Sequence, residues 1–200
     1  INEEWINDKT RFAIDGLQNQ RLDRPFIRTN GRLEETNWDT AISEVSKRIQ
    51  ETIPNNIISL SGNQVDVETL TATKIFFDLI GSQNYESRLD NAKIDPKVRS
   101  SYIFNSGISN IENCDSILLV GTNPRWEASI LNARIRKQYL NNDIPIALIG
   151  NKKNLTYDYE YLGNSLKILE NLYNDKINFS EKLKKSKKPM IIIGLSAISR

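Results

Sequence analysis

The chain has 200 residues, 27 basic and 25 acidic side chains, no histidine and a single cysteine, Cys114. This near-neutral balance gives no strong field for nucleic acid or anionic lipid, and no apolar run approaches the ~20 residues of a membrane span. Without histidine there is no Ser-His-Asp triad, Cys-His dyad or histidine metal ligand, and one thiol excludes an internal disulfide or a cluster held by cysteines of this chain alone.

The sequence pattern of residues 1–37 predicts an extended N-terminal arm, in which arginines alternate with apolar side chains. Such an arm is compatible with nucleic-acid binding. The near-neutral charge instead favours a segment whose apolar side chains pack against a larger part of the protein or its assembly, while its arginines pair with carboxylates. On this interpretation Trp5 and Phe12 are covered by neighbouring polypeptide. The arginines concerned are Arg11, Arg21, Arg24, Arg28 and Arg32.

Two helices flanking a strand are predicted after the arm. Asn37 is the predicted N-cap of a helix over 38–51. A strand over 57–60 leads into the Ser61-Gly62 turn, and a helix over 65–80 ends at Gly81. Residues 82–113 are rich in loops, with a helical turn near 109–113. The predicted buried face of the first helix consists of Trp38, Ala41, Ile42, Val45 and Ile49.

The second half of the chain alternates apolar strands with helices. The apolar run 117–120 predicts a strand buried on both faces, followed by the Gly121-Thr-Asn-Pro124 turn and an amphipathic helix. Further strands end at Gly150 and Gly194. The predicted helices cover 126–140, 165–173 and 180–185, and the predicted strands cover 144–149, the tyrosines at 157, 159 and 161, and 190–193.

This alternation predicts an α/β fold, a partial doubly wound and mostly parallel sheet preceded by the extended arm. The expected division is a docking arm over 1–37, an α/β domain over 38–188, and the first strand of a further, incomplete α/β unit over 189–200. Because the helix after this last strand is missing, we expect the chain to be part of a longer domain.

Glycine-containing turns at strand ends are the candidate ligand site. Backbone N–H groups at such turns, followed by a helix N-terminus, bind phosphates. Glycines are also what short strand-to-helix loops require, and there is no GxGxxG or Walker A motif. No carboxylate pair has a spacing that indicates acid–base catalysis, so no catalytic residue is predicted. The candidate turn residues are Gly62, Gly121, Thr122, Asn123 and Gly150.

Several motifs in register resemble one family. Gly121-Thr-Asn-Pro-Arg125 followed by Asn132-Ala-Arg-Ile-Arg-Lys137 is similar to the molybdopterin-oxidoreductase-like region of the large iron–sulfur subunit of respiratory complex I, the proton-pumping NADH:quinone oxidoreductase. Asn2-Glu-Glu-Trp5, Asp8-Lys-Thr-Arg-Phe12 and Asp95-Pro-Lys-Val-Arg-Ser-Ser-Tyr102 extend the resemblance. It implies a non-catalytic structural part of the hydrophilic arm, supporting electron transfer from NADH to ubiquinone.

The resemblance also implies cofactors and partners. Iron–sulfur clusters are expected on partner polypeptide, above all the cluster-bearing part of the same subunit, and other hydrophilic-arm subunits are expected neighbours. No cofactor, metal or nucleic acid is expected on this chain. The implied location is the matrix side of the mitochondrial inner membrane, or the cytoplasmic face of a bacterial inner membrane.

A molybdenum centre is the main alternative. Molybdenum relatives place a cysteine, selenocysteine or serine ligand near 81–90, where this chain reads Ser87-Arg88. A guanidinium has no lone pair for a metal, so no centre is expected and the strand-end turns are interpreted as vestigial. The alternatives left open are a fragment of an oxidoreductase that binds molybdopterin guanine dinucleotide and a nucleotide-binding module without catalysis. Cys114 is predicted to be a small core residue.

Overall fold

A computed structural model describes residues 4–87, 93–95 and 97–199. The chain divides into two compact units, residues 12–91 and residues 1–11 together with 92–200. These units differ from the division predicted at 37/38 and 188/189. Residues 26–35 form a hairpin within the first unit, and 189–193 form a strand of the main sheet in the second.

The segment predicted as an extended arm contains regular structure. It forms two short helices, α1 (Asp8–Phe12) and α2 (Asp15–Gln18), and an antiparallel hairpin of β1 (Phe26–Thr29) and β2 (Arg32–Glu35). Asn30 and Gly31 connect the hairpin with positive φ angles of 51° and 84°, as a two-residue type I′ turn requires. The prediction of an extended arm did not include the two helices or the hairpin, although the Asn-Gly dipeptide is a local signal for the hairpin.

The next helix, strand and helix of the first unit follow the predicted order, and a further short strand lies in the segment predicted as loop. Helix α3 (Trp38–Glu51) begins where Asn37 Oδ1 accepts a 2.8 Å hydrogen bond from the Thr40 N–H, which confirms the predicted cap. A 3₁₀ turn (Pro54–Asn56) leads to the short strand β3 (Ser59–Leu60). Helix α4 (Val67–Ile80) ends at Gly81 with a φ of 77°, and β4 (Tyr85–Glu86) pairs in parallel with β3.

The apolar face predicted to be buried on α3 is only partly covered: Ala41 and Ile49 are half-buried, and its other three residues are exposed. Among the described residues from 12 to 87, Phe77 and Ser82 are buried, whereas Trp38 is 67 % exposed. Two-stranded sheets offer too little surface to cover both helices. The described residues of this unit therefore leave many of its apolar side chains exposed to solvent. These side chains include Trp38, Ile42, Val45, Ile58, Leu60, Val67, Ile75, Phe76 and Leu79.

A four-stranded parallel sheet organises the second unit and confirms the predicted fold class. Its strands are β5 (Ser116–Val120), β6 (Ile146–Ile149), β7 (Glu160–Gly163) and β8 (Pro189–Ile193), in the spatial order β7-β6-β5-β8. The helices are α5 (Pro124–Glu127), α6 (Ser129–Asn142), α7 (Lys167–Tyr173), α8 (Asn178–Lys185) and α9 (Leu195–Ile198), with 3₁₀ turns at Arg99–Ser101 and Ile108–Asn113.

Two details of this unit differ from the predicted elements. The helix predicted over 126–140 is divided, because Ala128 adopts a non-helical conformation (φ −150°, ψ 70°) between α5 and α6. The tyrosine-rich strand is displaced towards the C-terminus: Tyr161 lies in β7, whereas Tyr157 precedes the strand and is buried, where its hydroxyl donates to Asn132 Oδ1 at 3.0 Å. The buried hydrogen bond of Tyr157 thus holds this residue outside the strand that the alternation of tyrosines had predicted.

The core lies on both faces of this sheet. Alternate residues of β5 enter two clusters, with Ile117 and Leu119 packing beside Ile135 of α6, and Leu118 and Val120 packing beside Phe179 of α8. All five residues of β5 are buried, as predicted for a central parallel strand. In the described part of the chain, no helix combines the length and apolar character that a membrane crossing requires.

Cys114 is a core residue, as predicted, and gives the fold a pH dependence. It is 4 % exposed, and burial raises the pKa of its thiol from 9.0 to about 11. The unfolded chain ionises first, so this contribution to stability is complete below the unfolded pKa and is lost as the pH rises through the folded pKa.

We expect the free energy of unfolding to fall between pH 9 and about 11 more steeply in the wild type than in a Cys114→Ala variant. Urea unfolding at several pH values measures both slopes. The alanine variant starts from a lower stability, so the comparison is of slopes. Equal slopes would contradict the assigned role of the thiol.

Candidate functional site

The carboxyl ends of β5, β6 and β8 form the candidate site. The chain runs outward from β5 to β6 and β7 and then returns to β8 on the other side of β5, so the direction of winding reverses between β5 and β8. Open parallel sheets bind ligands at this point. The structure brings Gly121 and Gly150 together here, since a Cβ on Gly150 would lie 3.5 Å from the Gly121 Cα. Gly62 belongs to the other unit.

The crevice between β5 and β8 is filled by the start of α9. Gly121 has a φ of 58°, and a Cβ there would lie 2.8 Å from both the backbone nitrogen and the Cβ of Ala197. The Ser196 hydroxyl donates a hydrogen bond to the Gly121 carbonyl oxygen. A Cβ on Gly194 would lie 2.6 Å from the Thr122 Cβ. These glycines therefore allow close approach of two parts of the chain itself.

Glu127 occupies the next part of the turn. Its carboxylate accepts hydrogen bonds from the Thr122 hydroxyl at 2.8 Å and from the Asn123 backbone N–H at 2.9 Å. The reciprocal bond from Glu127 N–H to the Asn123 carbonyl, also 2.9 Å, closes the turn. A hydroxyl and a backbone N–H are donors of the kind that bind ligand phosphates, and both are already satisfied within the chain.

A small cleft remains between the ends of β5 and β6. Its volume is about 100 Å³. The Gly150 N–H donates to the Gly163 carbonyl at 2.7 Å, and the Gly121 N–H donates to the Ile149 carbonyl at 2.8 Å. Ligand pockets commonly measure roughly 300–1,000 Å³, so the described residues enclose no space for a dinucleotide here. The lining residues include Val120, Ile149, Asn151, Asn164, Ser165 and Leu166.

The turn at Gly62 lies beside a different cavity. The preceding residue, Ser61, donates its N–H to the Glu86 carbonyl at 3.0 Å and lines a cavity of about 310 Å³ together with Lys74, Tyr85 and Ser87. Arg88, on which the argument against a molybdenum ligand depends, lies outside the described residues. Among the residues that are described, no three acidic or cysteine side chains gather as a metal site.

Comparison with known proteins identifies the family. A family model described as "Molybdopterin oxidoreductase" matches residues 21–200. The chain belongs to the molybdopterin oxidoreductase family. A second model, "NADH-ubiquinone oxidoreductase NDSU1/NuoG-like, 4Fe-4S domain", matches residues 1–15.

Among curated proteins, the chain is 44 % identical over 202 residues to the mitochondrial NADH-ubiquinone oxidoreductase 78 kDa subunit of Neurospora crassa, covering 97 % of the chain and 27 % of that protein. It is 42 % identical over 194 residues to a subunit of the NADH-quinone oxidoreductase of Rickettsia bellii, covering 97 % and 28 %. The chain thus spans less than a third of these relatives. Their similarity confirms the resemblance to the large complex I subunit.

Acetylene hydratase from Pelobacter acetylenicus is a solved structure similar to this one. The match has a TM-score of 0.45 and 15 % sequence identity, and it covers 72 % of this chain and 22 % of the hydratase chain.

The strand-end turns do not fit the pterin dinucleotide that the family name implies. Two donors at the β5 turn are occupied by Glu127, the crevice beside Gly121 is filled by Ala197, and the cleft at Gly150 is small. The Asn123 Oδ1 is shielded from solvent and accepts no hydrogen bond within the described chain. An acceptor of this kind fits an N–H or O–H donor and not a phosphate oxygen, so this atom adds no donor for the phosphates of such a ligand.

Sequence reasoning missed the residues that close this site. Glu127 was visible as an acidic residue in the first turn of the helix after a strand-end turn, a position that favours bonding back to the cap. Ser196 and Ala197 had no comparable signal, because they reach Gly121 from about 75 residues further along the chain.

Proposed function

We propose that this chain is a non-catalytic structural part of the hydrophilic arm of the proton-pumping NADH:ubiquinone oxidoreductase, respiratory complex I. It supports electron transfer from NADH to quinone by holding neighbouring polypeptide in place. The observation that carries this proposal is the 40–44 % identity, along 97–100 % of the chain, to proteins named as subunits of NADH-ubiquinone or NADH-quinone oxidoreductase.

The match of residues 1–15 to a 4Fe-4S domain model supports cluster-bearing partners. These residues contain no cysteine, and Cys114 is the one thiol of the chain. Clusters of this type are held by several thiolates, so their ligands come from other polypeptide. The cluster-bearing part of the same subunit is the proposed immediate neighbour, and other hydrophilic-arm subunits are proposed further partners.

Exposed apolar side chains support a role in assembly. The side chain of Leu79 in α4 is 81 % exposed, and those of Trp38 and Trp5 are 67 % and 70 % exposed. Large side chains of this kind gain free energy when a partner removes them from water. The location proposed with this role is the matrix side of the mitochondrial inner membrane, or the cytoplasmic face of the membrane in a bacterium.

The two alternatives require a ligand at the strand-end turns. A ligand phosphate bound at the β5 turn would use the donors of Thr122 and Asn123. In this chain both donors bond to Glu127. The geometry therefore supports the structural role over either alternative.

Native electrophoresis of gently solubilised membranes, with an NADH dehydrogenase stain and mass spectrometry of the stained band, tests the proposal. We expect peptides of this chain in that band, together with the 4Fe-4S subunits of the complex. A neighbouring respiratory complex that does not oxidise NADH is the control band and is expected to lack them. Recovery of the chain only in a small soluble fraction, with pterin or nucleotide bound, would support the alternatives.

A further inference from the structure

We propose that the Glu127 carboxylate is a built-in anion that closes the turn after β5 to phosphate ligands. It is a positioning residue: it fixes the connection between β5 and α5 by taking the donors that a ligand phosphate would need. This closure does not depend on which assembly contains the chain.

The geometry of the carboxylate carries this inference. Its Oε2 accepts from the Thr122 hydroxyl at 2.8 Å, and its Oε1 accepts from the Asn123 N–H at 2.9 Å. Two oxygens of one anion thus engage one hydroxyl and one backbone amide, the arrangement that two oxygens of a phosphate would adopt. A carboxylate supplied by the fourth residue after Asn123 is always present, whereas a ligand must be captured from solution.

The charge of Glu127 adds to the closure. No salt bridge to Glu127 is found among the described residues, and the side chain of the neighbouring Arg125 donates to the Asn154 carbonyl at 3.1 Å. A second anion at this turn would therefore meet an unneutralised negative charge at short distance. On the side of β8, Ala197 packs so closely against Gly121 that even a Cβ on Gly121 would clash with it.

Hydrogen exchange with mass spectrometry tests the role of the carboxylate. The full chain is isolated with the assembly that contains it, and peptides covering 119–127 are followed in the wild type, Glu127→Ala, Glu127→Gln and Glu181→Gln. Charged hydrogen bonds typically contribute enough to slow exchange about tenfold or more. We expect the Asn123 amide to exchange about tenfold faster in Glu127→Ala and by an intermediate factor in Glu127→Gln, which retains one acceptor oxygen.

Glu181→Gln is the matched control. It removes the same charge from an exposed position on α8, where Glu181 pairs with Lys185 at 3.2 Å. It is expected to leave exchange in 119–127 unchanged. Wild-type exchange in Glu127→Ala would overturn the proposal.

Inorganic phosphate separates closure of an anion site from simple capping of a turn. Added phosphate is expected to slow exchange in 119–127 of Glu127→Ala, where it replaces the lost carboxylate, and to leave the wild type unchanged. Protection of the wild-type turn by phosphate would show that the site is open. Failure of phosphate to protect the alanine variant would show that the carboxylate does not stand in for a phosphate; either result overturns the proposal.

Discussion

Substitution of Gly194 by alanine is expected to destabilise the second unit by about 3 kcal/mol, near the upper end of typical overpacking effects. A Cβ at this position would lie 2.6 Å from the Thr122 Cβ and 2.8 Å from the Thr122 Cα. The Gly194 N–H also donates to the Val120 carbonyl at 2.9 Å, which fixes the end of β8 against the end of β5. Backbone cannot move away as the tip of a flexible side chain can, so the two strand ends must separate.

Gly62→Ala is the control for this substitution. A Cβ on Gly62 meets no atom within 4 Å, so the change reduces the freedom of the unfolded chain without a clash. Urea unfolding and hydrogen exchange of the β5 and β8 amides measure both variants. Faster exchange in Gly194→Ala alone is expected. Equal behaviour of the two variants would show that close packing at the strand ends is not a source of stability.

Replacing Trp5 with alanine is expected to weaken assembly by about 3–5 kcal/mol, the cost of truncating a fully buried aromatic side chain. Trp5 is 70 % exposed in the isolated chain, so its truncation has little to remove from the fold itself. The effect is expected in the complex because a partner surface covers the indole. Quantification of the assembled complex on native gels, beside the thermal stability of the chain, distinguishes the two effects.

Tyr173→Ala provides a comparison for Trp5→Ala. Tyr173 ends α7 and is 87 % exposed, so it is another large aromatic side chain on the surface. Because Tyr173 lies outside the N-terminal segment, its replacement by alanine is expected to leave assembly intact. Normal assembly of the Trp5 variant would contradict the docking role proposed for that segment.

Local signals in the sequence predicted much of the fold. Asn37 and Gly81 marked helix ends because capping bonds and a left-handed φ depend on a few neighbouring residues. The continuous apolar run of β5 indicated a strand covered on both faces. The hairpin at Asn30-Gly31 was equally local and could have been predicted from that dipeptide.

Other features depend on contacts that local patterns do not encode. The division of the helix at Ala128 has no proline or glycine to indicate it. The apolar pattern of α3 correctly indicated a helix with one apolar face. Whether that face is covered depends on the area that other polypeptide supplies, and the described residues of its own unit leave Trp38 exposed.

By itself, the sequence determined the alternation of strands and helices in the second half of the chain, the parallel α/β class and the family, because these follow from short-range patterns and motifs in register. The tertiary structure decided that β8 pairs with β5, and that the turns at Gly121 and Gly150 lie together while Gly62 lies in another unit. It also decided that the candidate site is filled by Ala197 and closed by Glu127. A turn's conformation is local, but the atoms that occupy the space beside it come from distant parts of the chain.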